Sequence, residues 1–154
     1  MTVVLATPSD REIVLTRAFA APRHKVFTAM TEPSLLMRWY GARGWNLVEC
    51  EVDLRVGGSY RFVSRGPDGA TMTQRGVYRV VAAPEVVSFT ELFDDQSYDG
   101  ESLITHRFVE LAGRTTVTST VLFASPEARD TVLRYPMRRG VGESYERLDE
   151  LLAL

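Results

Sequence analysis

Residues 125–152 read SPEARDTVLRYPMRRGVGESYERLDELL, and they end the chain on a long amphipathic helix that needs a surface to lie on. Ser125 offers an N-cap hydroxyl, Pro126 suits a first helical turn and Glu127 adds an early acid, so a helix opens here. Pro136 removes a backbone donor and clashes with the preceding turn, which divides the stretch into Pro126 to Arg134 and Met137 to Leu152. In the second piece Met137, Val141, Ser144, Leu148 and Leu151 recur at three- and four-residue spacing, while Arg138, Arg139, Glu146, Arg147 and Glu150 take the opposite face. Gly140 and Gly142 each weaken such a helix by about 1 kcal/mol relative to alanine. Their missing side chains let a sheet or a ligand approach the backbone closely, and they make Tyr135 to Gly142 a candidate lid.

The surface for that helix lies upstream. From Trp45 the apolar period is 2, in runs broken by turn chemistry: Trp45 to Leu54, Ser59 to Arg65, Thr71 to Val81, Val86 to Phe93, Glu101 to Leu111 and Arg114 to Phe123. Short turns such as Gly66-Pro67-Asp68-Gly69 and Ala112-Gly113 join them, which means an antiparallel meander rather than parallel βαβ units. Before the meander, Arg11 to Phe19 alternates as a first strand, and Pro22 and Pro33 open two short helices, Arg23 to Met30 and Ser34 to Tyr40. The order is α+β: a seven-stranded antiparallel sheet, one face in water and the other under the final helix. Residues 1–10 read as a leader and 11–153 as the core of one domain.

Composition narrows the function classes. The 154 residues are 45% hydrophobic with a formal charge of -2 and no block of one sign, so there is no electrostatic footprint for nucleic acid. Cys50 is the only cysteine, which excludes an internal disulfide and fits a reducing compartment. No signal-peptide layout opens the chain and no run nears the roughly 20 apolar residues of a membrane span, so the cytoplasm is the expected location. Two histidines and one cysteine without metal-ligand spacing give no metal site, no glycine-rich loop leads into a helix to hold phosphate, and Ser34, Ser88 and Ser119 lack a GxSxG context. No cofactor is implied.

Three stretches together carry a resemblance: Ala21-Pro22-Arg23-His24-Lys25-Val26-Phe27-Thr28-Ala29-Met30-Thr31-Glu32-Pro33, then Arg38-Trp39-Tyr40, then Glu51-Val52-Asp53-Leu54-Arg55-Val56-Gly57-Gly58. With Pro67-Asp68-Gly69, Gly76-Val77-Tyr78 and the last helix, the chain resembles the activator of heat-shock protein 90 ATPase homologue family, within the START-like (SRPBCC, Bet v 1-related) superfamily. The resemblance implies a helix-grip fold with a cavity between the concave sheet face and the long helix. The shared motifs read as fold signatures: Gly57-Gly58 for a tight reversal, Trp39 for packing the small helices, Asp53 and Arg55 for holding the turn.

Strand parity then selects the cavity-facing side chains. Tyr60 and Phe62 point inward because Ser59 and Arg61 suit water. Met72, Gln74, Gly76, Tyr78 and Val80 share one face, as do Phe89, Glu91 and Phe93, and Ile104, His106 and Phe108. Trp39, Met137 and Val141 complete the candidate ligand contacts. His106 reads either as a core histidine with a satisfied ring or as a general base. Glu91, between two phenylalanines, meets a cation such as Arg79 or Arg107, takes up a proton, or faces water. Tyr60 and Tyr78 read as core rings or as ligand anchors.

Three functions are compatible with these residues. The first is a binding module for a small hydrophobic or aromatic molecule, as a monomer or homodimer. An enzyme of the cyclase or hydrolase type, as in other START-like proteins, would use His106 or Glu91 as acid or base. A chaperone partner is what the family name implies.

Overall fold

The computed structural model describes residues 1–154. Strand β1 (Val4–Ala6) and β2 (Glu12–Phe19) precede helices α1 (Arg23–Thr31) and α2 (Pro33–Trp39). The meander follows as β3 (Asn46–Val52), β4 (Ser59–Arg65), β5 (Thr71–Ala82), β6 (Val86–Phe93), β7 (Ser102–Leu111) and β8 (Arg114–Leu122). Helices α3 (Pro126–Leu133) and α4 (Met137–Leu152) close the chain. All strands form one antiparallel sheet in the order β1-β2-β8-β7-β6-β5-β4-β3, which fits the helix-grip architecture.

The sheet has eight strands rather than the expected seven. The extra one comes from the leader: the chain reverses after Ala6, and Val4 and Ala6 pair with Thr16 and Val14. Three residues are too short for periodicity to register, yet they cover the free edge of β2. The second surprise is a bulge in β5 between Tyr78 and Val80. It shifts the parity by one residue, so Val80 is exposed at 43% and Val81 turns toward the core in its place.

Glycine is required at two close approaches. A Cβ on Gly76 would lie 1.8 Å from the Thr90 carbonyl oxygen, and one on Gly58 would lie 2.1 Å from that of Asp53. At the latter turn Arg55 Nε donates to Asp53 Oδ2 at 2.9 Å, as the sequence suggests.

The small helices are pinned by Trp39, whose indole N–H donates to the Ala29 carbonyl at 2.8 Å. Ser125 caps α3 by accepting from the Ala128 N–H at 3.1 Å. Helix α4 buries Ser144, Tyr145 and Leu148 against the concave face. Polar clasps fix it at both sides. Arg17 on β2 is buried and reaches Asp149 at 2.6 Å, while Arg147 donates to the carbonyls of Gly41 at 2.9 Å and Trp45 at 2.8 Å. Neither helical glycine is approached closely: a Cβ on Gly140 would meet nothing within 4 Å, and one on Gly142 only Val3 Cγ2 at 4.0 Å. The sheet does not press on the α4 backbone there. No helix is long and apolar enough to cross a membrane.

Candidate functional site

Between α4, the small helices and the concave sheet lies a cavity of about 370 Å³. Sixteen of its 24 lining residues are hydrophobic, so the wall is predominantly apolar with a few polar groups. Alternation places Tyr60 and Phe62 from β4 in its wall, with Met72, Gln74 and Tyr78 from β5. Phe89 and Glu91 enter from β6 and His106 from β7, and Trp39, Met137 and Val141 come from the helices. Met72 stands at the rim, 39% exposed.

Phe108 does not line the chamber. It is 1% exposed and packs edge-on against Phe27 of α1, ring centroids 5.2 Å apart, because that helix closes this end of the sheet. Phe93 and Val80 also stay outside the wall. Several lining residues escaped the sequence reading. Tyr145 lies four residues beyond Val141, and Ser119 alternates with Val117 and Val121, so helical and strand periodicity carry both. Tyr40, Gly41 and Ala42 are brought in by the loop after α2, which no local pattern reveals.

The rings form a continuous aromatic wall. Tyr40 meets Phe62 at 5.2 Å, Tyr60 meets Phe62 at 4.9 Å and Phe89 at 5.3 Å, and Phe89 meets His106 at 5.4 Å. One polar cluster sits among them. The Tyr40 hydroxyl donates to Gln74 Oε1 at 2.8 Å, and Gln74 Nε2 donates to Glu91 Oε2 at 2.9 Å. The Tyr60 hydroxyl donates to the Thr90 carbonyl at 2.7 Å. Glu91 therefore meets an amide rather than an arginine: Arg107 is exposed, and Arg79 faces out toward Glu101 at 3.9 Å.

Glu91 and His106 keep partial accessible surface, but that surface borders the chamber, and the protein enclosing them governs their ionisation. Burial pushes the Glu91 carboxyl up to about 7. It pushes the His106 imidazole down to about 4, leaving a neutral ring whose Nδ1 is 2.6 Å from Ser119 Oγ. Burial also raises the hydroxyls of Tyr40, Tyr60 and Tyr78, which stay protonated.

The two titratable groups are not neighbours. His106 pairs with Val87, whereas Glu91 pairs with Ser102, four residues further along the β6–β7 ladder. At about 3.3 Å per residue they stand about 13 Å apart along the strands. The chamber is thus an aromatic cleft with a carboxyl at one end and a neutral imidazole at the other.

The model of the family described as Activator of Hsp90 ATPase homolog 1-like protein matches residues 20–153. The chain belongs to that family. A crystal structure of a Rhodobacter sphaeroides protein is 33% identical, covers 99% of both chains and superposes with a TM-score of 0.94. A Mycobacterium smegmatis protein, 26% identical over 97% of this chain and 96% of its own, gives 0.85. An HSP90 activator from Plasmodium falciparum shares the fold over 73% of this chain and 72% of its own, at 23% identity and a TM-score of 0.57. No curated protein matches. The fold of this Activator of Hsp90 ATPase homolog 1-like chain is therefore a family property, while the chemistry of its chamber is argued from its own side chains.

Proposed function

We propose that the protein binds a small, predominantly apolar molecule in the chamber beneath α4 and works in the cytoplasm as a single ligand-binding domain. The cavity of about 370 Å³ with its aromatic wall carries this reading. The separation of Glu91 from His106 favours binding over concerted acid–base catalysis at one bond. Entry is by movement of Tyr135 to Gly142, where two glycines weaken the helix and no neighbour packs closely on Gly140.

Displacement of an environment-sensitive apolar dye, read by fluorescence, tests the reading. Saturable dye uptake that is lost in a chamber-filling variant supports it; no uptake of dye or of any apolar molecule in native mass spectrometry refutes it. A second reading, association with an Hsp90-type chaperone, is supported by the family match and by the activator from Plasmodium falciparum. Its test is recovery of the chaperone on immobilised protein.

A further inference from the structure

One group in the chamber lacks a counter-charge. Glu91 Oε2 accepts from Gln74 Nε2 at 2.9 Å, and no second donor reaches the carboxylate. The neighbouring protons are already committed, that of Tyr40 to Gln74 and that of Tyr60 to the Thr90 carbonyl. The nearby arginines point away: on the outer face of β5, Arg75 pairs with Asp94 and Arg79 with Glu101. The titratable groups around Glu91 are Tyr40 from the loop after α2, Tyr60 from β4 and Tyr98 from the β6–β7 loop, all held protonated by burial. None of them brings positive charge.

The second carboxylate oxygen is open to a donor from a ligand. A carboxylate that protein shields from much of the water gains more from a cation than from a neutral hydroxyl. The rings of Tyr40, Tyr60 and Phe62 share this wall and add cation–π attraction for an ammonium group. We propose that the chamber takes a hydrophobic amine, with its ammonium on Glu91 among these rings and its apolar body running along Phe89 toward His106. This assignment rests on the chamber being a ligand site. Gln74 is the positioning residue: bound by Tyr40 on its oxygen, it presents its nitrogen to Glu91 and leaves the other carboxylate oxygen for the ligand.

Titration calorimetry with two probes of equal shape, 4-phenylbutylamine and 4-phenylbutan-1-ol, tests it at pH 8. The amine is expected to bind at least about tenfold tighter than the alcohol, and Glu91→Gln to reduce that advantage to about twofold or less. A measurement that needs no variant accompanies it: at pH 6.5, amine binding to the unaltered protein releases a proton, seen as an enthalpy that changes with the buffer. If the alcohol binds as tightly as the amine, or Glu91→Gln leaves the amine's advantage intact, the assignment is overturned while the chamber remains a ligand site. If neither probe binds at millimolar concentration, the amine assignment is overturned, and dye uptake and native mass spectrometry decide separately whether the chamber is a ligand site.

Discussion

Glu91→Gln and His106→Gln, each compared with the unaltered protein from pH 4 to pH 8.5, test the electrostatics of the chamber. The Glu91 carboxyl moves from 4.5 to about 7 on folding, so the folded state holds its proton more tightly than the unfolded chain. Its contribution is fully present below pH 4.5 and is lost as pH rises through about 7. The His106 imidazole moves the other way, from 6.5 to about 4, so stability is lost as pH falls below 6.5. Between pH 4.5 and 6.5 the two slopes oppose each other and nearly cancel. At about 1.36 kcal/mol per unit, each shift has a ceiling of roughly 3 kcal/mol, and water reaching the chamber lowers the expectation to about 1–2 kcal/mol. Glu91→Gln should therefore become more stable than the parent as pH rises, by about 2–8 °C in Tm at pH 8.5, with little difference at pH 4. His106→Gln should instead lose stability steadily between pH 4.5 and 7. Urea unfolding at each pH reads both slopes; parallel profiles for parent and Glu91→Gln would refute the reasoning.

Other consequences are as direct. Asp149→Asn leaves the buried Arg17 guanidinium without its counter-ion and should lower stability by about 2 kcal/mol in urea unfolding, less than for a fully enclosed pair because Asp149 is 35% exposed. Gly76→Ala drives a methyl into the Thr90 carbonyl and should destabilise by more than about 3 kcal/mol, whereas Gly140→Ala, with open space around it, should stabilise by up to about 1 kcal/mol. Val141→Trp should fill the chamber and abolish dye uptake while the far-UV circular dichroism spectrum is unchanged. Hydrogen exchange should be faster at Tyr135 to Gly142 than in β7 and β8, and should slow when a chamber ligand is added.

Much of the sheet and about half of the chamber wall are legible in the sequence, because a period of 2 fixes side-chain direction once one residue is placed. Tyr60 and Phe62 on β4, or Phe89 and Glu91 on β6, follow from a single choice of face. Parity fails where the backbone changes count, as at the bulge that sends Val80 outward. It also cannot say what lies opposite: Phe108 has the correct parity but sits beneath Phe27, and the pairing of Gln74 with Glu91 depends on register between strands. Arg17 shares the inward face of β2 with Leu15 and Phe19, yet only the position of α4 explains how a guanidinium is tolerated there.

The strand order also bears on how the molecule assembles. From β3 to β8 every ladder joins consecutive strands, so each closes over a short loop, but β2 joins β8 across most of the chain, with Glu12 paired to Leu122 and Phe19 to Thr115. Contacts of high sequence separation are slow to form, since ordering must precede the contacts that reward it. The meander can thus organise first and β2 dock afterwards, together with the Arg17 to Asp149 clasp that holds α4 down. Substitutions on β2, such as Leu15→Ala, would then chiefly accelerate unfolding, and those in the β7–β8 hairpin would slow folding. On that order, the strand that docks last is the one that contributes Leu15 to the chamber wall.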